Sequence, residues 1–145
     1  MFQFHPEIYA SLFEKIMGLF PDLEHLQNGD GRKSAPPGKR ELSLEVVIRD
    51  KHTATVELAW YYTLGEEKRP DPEMEIMVDF QHRQAEALTF QNGLLFSHVY
   101  GEDAGGCVTV DYNAKVNLNH HLSTWLSNLI AEGYALVPEQ EKASA

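Results

Sequence analysis

The chain has 145 residues, 43% of them hydrophobic, with 22 acidic residues against 12 basic ones and a formal net charge of −10. That length and composition suit one domain with a single core and exclude a disordered chain. The excess of carboxylates repels phosphate backbones and anionic membrane surfaces, so neither nucleic-acid binding nor membrane binding is expected.

The basic residues Arg32, Lys33, Lys39 and Arg40 share a stretch with Pro36, Pro37 and Gly38, which reads as a solvated linker and not as a groove-tracking patch. The single cysteine, Cys107, has no partner for an internal disulfide and fits a reducing compartment. No apolar run approaches the roughly 20 residues that span a bilayer. The start, MFQFHPEIYASLFEKI, lacks a basic leader and carries two glutamates by position 14, a poor signal peptide. A cytoplasmic location is the expectation.

In chain order, Pro6 stands at a first helical position, followed by Ile8, Tyr9, Leu12, Phe13, Ile16 and Met17 at helical spacing. Gly18 and Pro21 interrupt the pattern, and Asp22 to Leu26 adds a turn or a short second helix. Gln27 to Lys39 has no apolar periodicity and reads as an exposed loop. Glu41 to Arg49 alternates, with Leu42, Leu44, Val46 and Ile48 on one face. Ala54, Val56, Leu58, Trp60 and Tyr62 alternate likewise. The two runs predict an antiparallel hairpin over Asp50-Lys51-His52. A loop of odd length, with Arg49 opposite Thr53, keeps both apolar sets on one side of the sheet.

Leu64 to Pro72 reads as a charged, proline-broken connection. Met74, Ile76, Val78 and Phe80 mark a third strand, Ala85 to Phe90 a fourth, and Leu94 to Tyr100 a fifth after the Asn92-Gly93 tight turn. The GEDAGG stretch is a loop, and Cys107 to Tyr112 is a short sixth strand or a lead-in to a helix. From Lys115 to Tyr134, Leu118, Leu122, Trp125, Leu126, Leu129 and Ile130 trace a helical stripe, with Gly133 placed to end it. Asn117, His120, His121, Thr124, Ser127, Asn128 and Glu132 form its wet face. Short turns between strands mean a meander. The predicted fold is α+β: an antiparallel meander sheet of five to six strands packed against a long C-terminal helix, with an N-terminal helix. Residues 1–134 form one domain and 135–145 a polar, frayed tail.

The seven histidines show none of the strong metal spacings. His120 and His121 are adjacent on a helix and diverge by roughly 100°, so one ion would need further ligands such as His98 or Asp111. No metal and no cofactor is expected. Cys107 reads as a small buried residue opening a strand rather than a nucleophile. Glu45, Glu57, Glu73, Glu75, Asp79 and Glu86 read as the wet face of a sheet, with Glu57, between Val56 and Leu58, the most interesting of them. Trp60 and Tyr62 enter the core and Tyr61 stays outside. No phosphate-binding loop is present.

Lys115, Asn119, Leu122, Trp125, Leu126 and Gly133 resemble the Lys, Asn, Leu-x-x-Trp-Leu and terminal Gly of the YqiB-like proteins, small bacterial proteins grouped as a domain of unknown function. Met74-Glu75-Ile76 through Ala85-Glu86-Ala87 is similar to that family's strand pair, and Leu23 to Leu26 to its N-terminal leucine pair. The chain departs from the pattern at Asp79-Phe80-Gln81 and Asn113-Ala114-Lys115, as a divergent member would. The resemblance implies the architecture and a bacterial source and brings no activity with it.

The functional expectation is a non-enzymatic protein-interaction or regulatory module of the bacterial cytoplasm, acting on a protein partner or a second copy of itself. The alternative is a small-ligand binder or enzyme with a pocket between sheet and C-terminal helix. Its candidate residues are His98, Tyr100, Asp111, Asn117, His120 and His121.

Overall fold

The computed structural model describes residues 6–92 and 95–137. It contains an N-terminal helix, α1 (Pro6–Leu19), a 3-10 turn at Leu23–His25, and eight strands: β1 (Gly31–Ser34), β2 (Leu42–Arg49), β3 (Thr53–Leu64), β4 (Glu67–Asp79), β5 (Gln84–Asn92), β6 (Leu95–His98), β7 (Tyr100–Glu102) and β8 (Val108–Val110). The long helix α2 (Tyr112–Ala131) follows. Strands β1 to β6 form one antiparallel sheet in chain order, and β7–β8 is a separate hairpin. The meander and its two helices make an α+β fold, as the strand and helix periodicities predict.

One sheet face supplies Leu42, Leu44, Val46, Val56, Leu58, Met74, Ile76 and Val78 to a core that Leu12, Phe13 and Ile16 of α1 and Leu122, Leu126 and Leu129 of α2 complete. Both helices therefore cover the same face. Asp111 caps α2, its side chain accepting from the Ala114 N–H at 3.0 Å. The other end closes on Gly133, at φ +90°. There the Tyr134 N–H donates to the Leu129 carbonyl at 3.1 Å and the Gly133 N–H to that of Ile130 at 3.2 Å, a Schellman motif. The chain then stays on the body, with Leu136 buried and its N–H donating to the Leu19 carbonyl.

Several expectations are corrected. The Gln27–Lys39 stretch holds β1, which pairs with β2. The proline-broken connection is instead the end of β3 and the start of β4, joined by a two-residue turn in which Gly65 takes φ +67°. Ala59 pairs with Glu73 and Tyr61 with Pro70, so Asp71 and Pro72 together face Trp60. A bulge tolerates a proline because a ladder hydrogen bond is already missing there. The register of Arg49 opposite Thr53 holds through its continuation from Leu42–Trp60 to Val46–Val56. A bulge at Val47 then shifts it, so Arg49 meets Ala54. The shift turns Ile48 outward, half exposed instead of in the core. Tyr100 belongs to β7 and not to the fifth strand of the meander. Cys107 is exposed, not buried, because Gly106 at φ +82° carries the β7–β8 turn out from the body. Tyr61 and Tyr62 are both half-buried. Gly93, of the expected Asn92-Gly93 turn, lies outside the described residues.

Candidate functional site

The six residues singled out from the sequence do not gather in one place. Asn117 and His120 are exposed on α2, and Asp111 is spent on its cap. His98 ends β6, its ring 5.9 Å from that of Phe96. Tyr100 and His121 each join a different cluster, one on either edge of α2.

Tyr100 belongs to a clasp built around Lys115. The lysine is buried, and its Nζ lies 2.7 Å from Glu86 Oε2 and 2.6 Å from Tyr100 Oη. The Tyr100 hydroxyl donates to the same Glu86 oxygen at 2.8 Å. Tyr9 faces the ammonium from α1, with Nζ 5.5 Å from its ring centroid. At about 100° per residue, Lys115 lies inside the angular span of the α2 stripe, between Leu122 and Leu126. That position forces a charge against the sheet and demands a partner there. Burial pushes the ammonium toward neutrality, but the hydrogen bonds to Glu86 and Tyr100 and the Glu86 charge outweigh it, so its pKa is raised. Burial likewise raises Tyr9 and Tyr100, aided by Glu86. A lysine held protonated neither attacks a carbonyl nor takes up a proton. One turn further on, the buried Asn119 amide accepts from the Ala87 N–H at 2.7 Å and donates to the Lys115 carbonyl at 2.7 Å. Strand β6 pairs with β5 only from Thr89 onward, so Asn119 supplies the bond that a neighbouring strand would have made. Lys115, Asn119 and Ala85-Glu86-Ala87, distant in sequence, thus meet as a clasp that fastens α2 to β5.

His121 lies at the other edge of the stripe, beside Trp125. Its ring meets Phe90 edge-on at 4.7 Å, and this partial burial of an otherwise exposed residue lowers its pKa, which leaves it a neutral imidazole near neutrality. Together with Trp60 and Trp125, 6.1 Å apart, these rings border a cleft of about 240 Å³ between the end of the sheet and α2. Sequence reading places both tryptophans in the core and misses that they also form its wall.

The face of the sheet away from the helices carries a third arrangement. Glu57 on β3 lies directly opposite Glu45 on β2 and directly opposite Glu75 on β4. Glu73 stands two residues along β4, and Tyr61 is half-buried nearby. Glu57 is half-buried too, and burial followed by the charges of Glu73, Glu45 and Glu75 raises its carboxyl pKa. The same face was expected to be merely wet. Like charges on directly opposed strand positions destabilise a sheet, so this row strains the fold that carries it. Among the described residues no group of three His, Cys, Asp or Glu side chains converges with metal-ligand geometry. Among them, too, no helix is long and apolar enough to cross a membrane.

No curated protein matches the chain, and no solved structure does. Residues 15–135, which contain the clasp, the cleft and the glutamate row, match the family model described as "Protein of unknown function (DUF1249)", and the chain belongs to that family.

Proposed function

We propose that the protein is a non-enzymatic interaction module of the bacterial cytoplasm that docks a lysine- and arginine-rich segment of a protein partner on the open face of its sheet. Within its family we read it as a divergent relative of the YqiB-like proteins. The observation that carries the functional reading is the cross-strand row Glu45–Glu57–Glu75 with Glu73 beside it. A cationic segment laid across the strands would neutralise charges that now repel one another, so its binding gains twice: by attraction and by relief of strain. The overall charge of −10 steers such a partner toward the molecule, and Tyr61 offers a ring to a guanidinium. The clasp, by contrast, satisfies its charges internally and serves the fold.

The test is binding of a labelled arginine-rich peptide, followed by fluorescence anisotropy at low salt. Glu57→Gln with Glu75→Gln should weaken it by about tenfold or more, the scale of two close charge contacts. The control is Glu7→Gln with Glu24→Gln, two exposed residues on α1 and the 3-10 turn. Equal loss in both pairs would mean that only the net charge matters, and the docking face would be abandoned.

A further inference from the structure

We propose that the aromatic cleft between the end of the sheet and α2 is a second binding site, for a small, flat, uncharged ring that carries a carbonyl oxygen. It goes beyond the docking face and does not depend on it. Trp60 shares its sheet face with Leu42 and Leu58, the side covered by the helices, while the glutamates point the other way.

Size comes first. The cleft measures about 240 Å³. A cavity of about 150 Å³ suffices to hold benzene, so a single substituted ring fits and a dinucleotide does not. Shape follows from the walls. Trp60, Phe90, Trp125 and the His121 ring surround the space, and a planar ligand stacks on or meets such rings edge-on. Polar groups are few: Asn92, Thr124 and Asn128. A sugar would bring a hydroxyl on nearly every carbon and leave most of them against aromatic carbon.

Charge comes next. No residue bordering the cleft carries a charge near neutrality, given the neutral His121 imidazole. An anion would enter against the field of a chain of net charge −10, with no cation among the residues that line the cleft and Arg40 held behind it on the Trp60 ring. A cation would find the Trp60 ring already taken by the Arg40 guanidinium, 4.8 Å from its centroid. An uncharged ligand meets neither obstacle.

The carbonyl is argued from the two indoles. The Trp60 N–H donates to the Tyr134 hydroxyl at 2.9 Å, and that hydroxyl donates to the Arg40 carbonyl at 2.6 Å. Trp60 is thereby anchored. The Trp125 N–H is enclosed and meets no acceptor among the described residues. A buried donor left without an acceptor is costly, and nothing polar fixes the ring that carries it. When a ligand occupies the cleft, the Trp125 ring tilts toward it and its N–H donates to the ligand's oxygen. The bond missing from the free protein is then made.

The chain's two tryptophans both border the cleft, so intrinsic fluorescence reports its occupancy. The probe is benzamide, with benzoate and benzylamine as its charged counterparts and glucose as the sugar. Benzamide should change the emission saturably with a Kd of about 1 mM or tighter, and each charged analogue should bind about tenfold more weakly or worse. Trp125→Phe keeps a ring but removes the orphan donor. It should weaken benzamide binding about tenfold without lowering the melting temperature, a combination that simple loss of packing does not produce. His121→Ala, at an exposed position, should weaken binding as well and guards against a folding failure of the first variant. The proposal is overturned by any of four results: no saturable signal, equal binding of benzoate, saturation by glucose in place of benzamide, or benzamide binding indifferent to both substitutions.

Discussion

Replacing Glu57 by Gln should make the protein more stable, an unusual outcome for a substitution in the middle of a central strand. The side chain keeps its length and its place, while two directly opposed like-charge pairs, with Glu45 and Glu75, disappear. Pairs of this kind run from about 0.2 to 1 kcal/mol each. Taking the middle of that range, the two together give about 1 kcal/mol, which in a chain of this size raises Tm by about 3 °C. The pH dependence has a definite sign. Glu57 has its carboxyl pKa raised by burial and by the Glu73, Glu45 and Glu75 charges. A raised carboxyl makes the folded state bind its proton more tightly than the unfolded state does. Its favourable contribution is therefore full below the ordinary glutamate pKa and is lost as pH rises through the folded value. The variant's advantage should accordingly be present at about pH 7 and vanish by about pH 3, where the carboxyl is protonated in both states. It should also shrink between about 0.02 M and 1 M NaCl, as the screening length falls to about 3 Å. Thermal unfolding of both proteins across these conditions checks all three expectations. No gain at neutral pH, or a gain that persists unchanged in acid and in salt, would refute the repulsion and weaken the docking face with it.

Other substitutions probe how α2 is held. Lys115→Met removes the cation from the clasp and leaves the Glu86 carboxylate with its exposed hydrogen bond from the Tyr100 hydroxyl. Because the Glu86 side chain is 27% exposed and regains some water, the loss should be about 2 kcal/mol, below the 3–5 kcal/mol of a fully buried pair, as read from urea unfolding. Asn119→Ala strands the Ala87 N–H and should cost about 1–3 kcal/mol, with faster amide exchange at Ala87 than at its neighbours. Gly133→Ala places a side chain at φ +90° where nothing lies within 4 Å of the new carbon, so the cost is backbone strain alone. About 1–2 kcal/mol is expected, with unfolding cooperativity unchanged.

What the sequence revealed, and what it hid, follows from two periods and their interruptions. The stripe from Leu118 to Leu129 is legible because residues seven and eleven apart return to nearly the same side of a helix. The same arithmetic puts Ile130 at the margin of the stripe, about 40° beyond Leu126 and about 120° from Leu118, and in the last turn of the helix it is exposed despite being apolar. It also puts Lys115 among the leucines, a signal of a buried cation that the reading of the stripe by its apolar residues passed over. That Glu86 and Tyr100 answer it was not legible, since β5 and the β7–β8 hairpin are brought to it only by the tertiary fold. In the sheet, alternation showed the strands but not the bulges. An extra residue at Val47 reverses the facing of Ile48, and the pair opposite Trp60 lets Pro72 stand inside a strand that a continuous ladder would exclude. The glutamate row lies between these extremes. A register that places Arg49 against Thr53 already sets Glu45 against Glu57, because both pairs keep the same sum of residue numbers. Only the β3–β4 pairing brings in Glu75 and changes the meaning of the row. One acidic residue on a wet strand needs no explanation; three held abreast, with the central carboxyl half-buried, are a local cost that a cationic partner would remove.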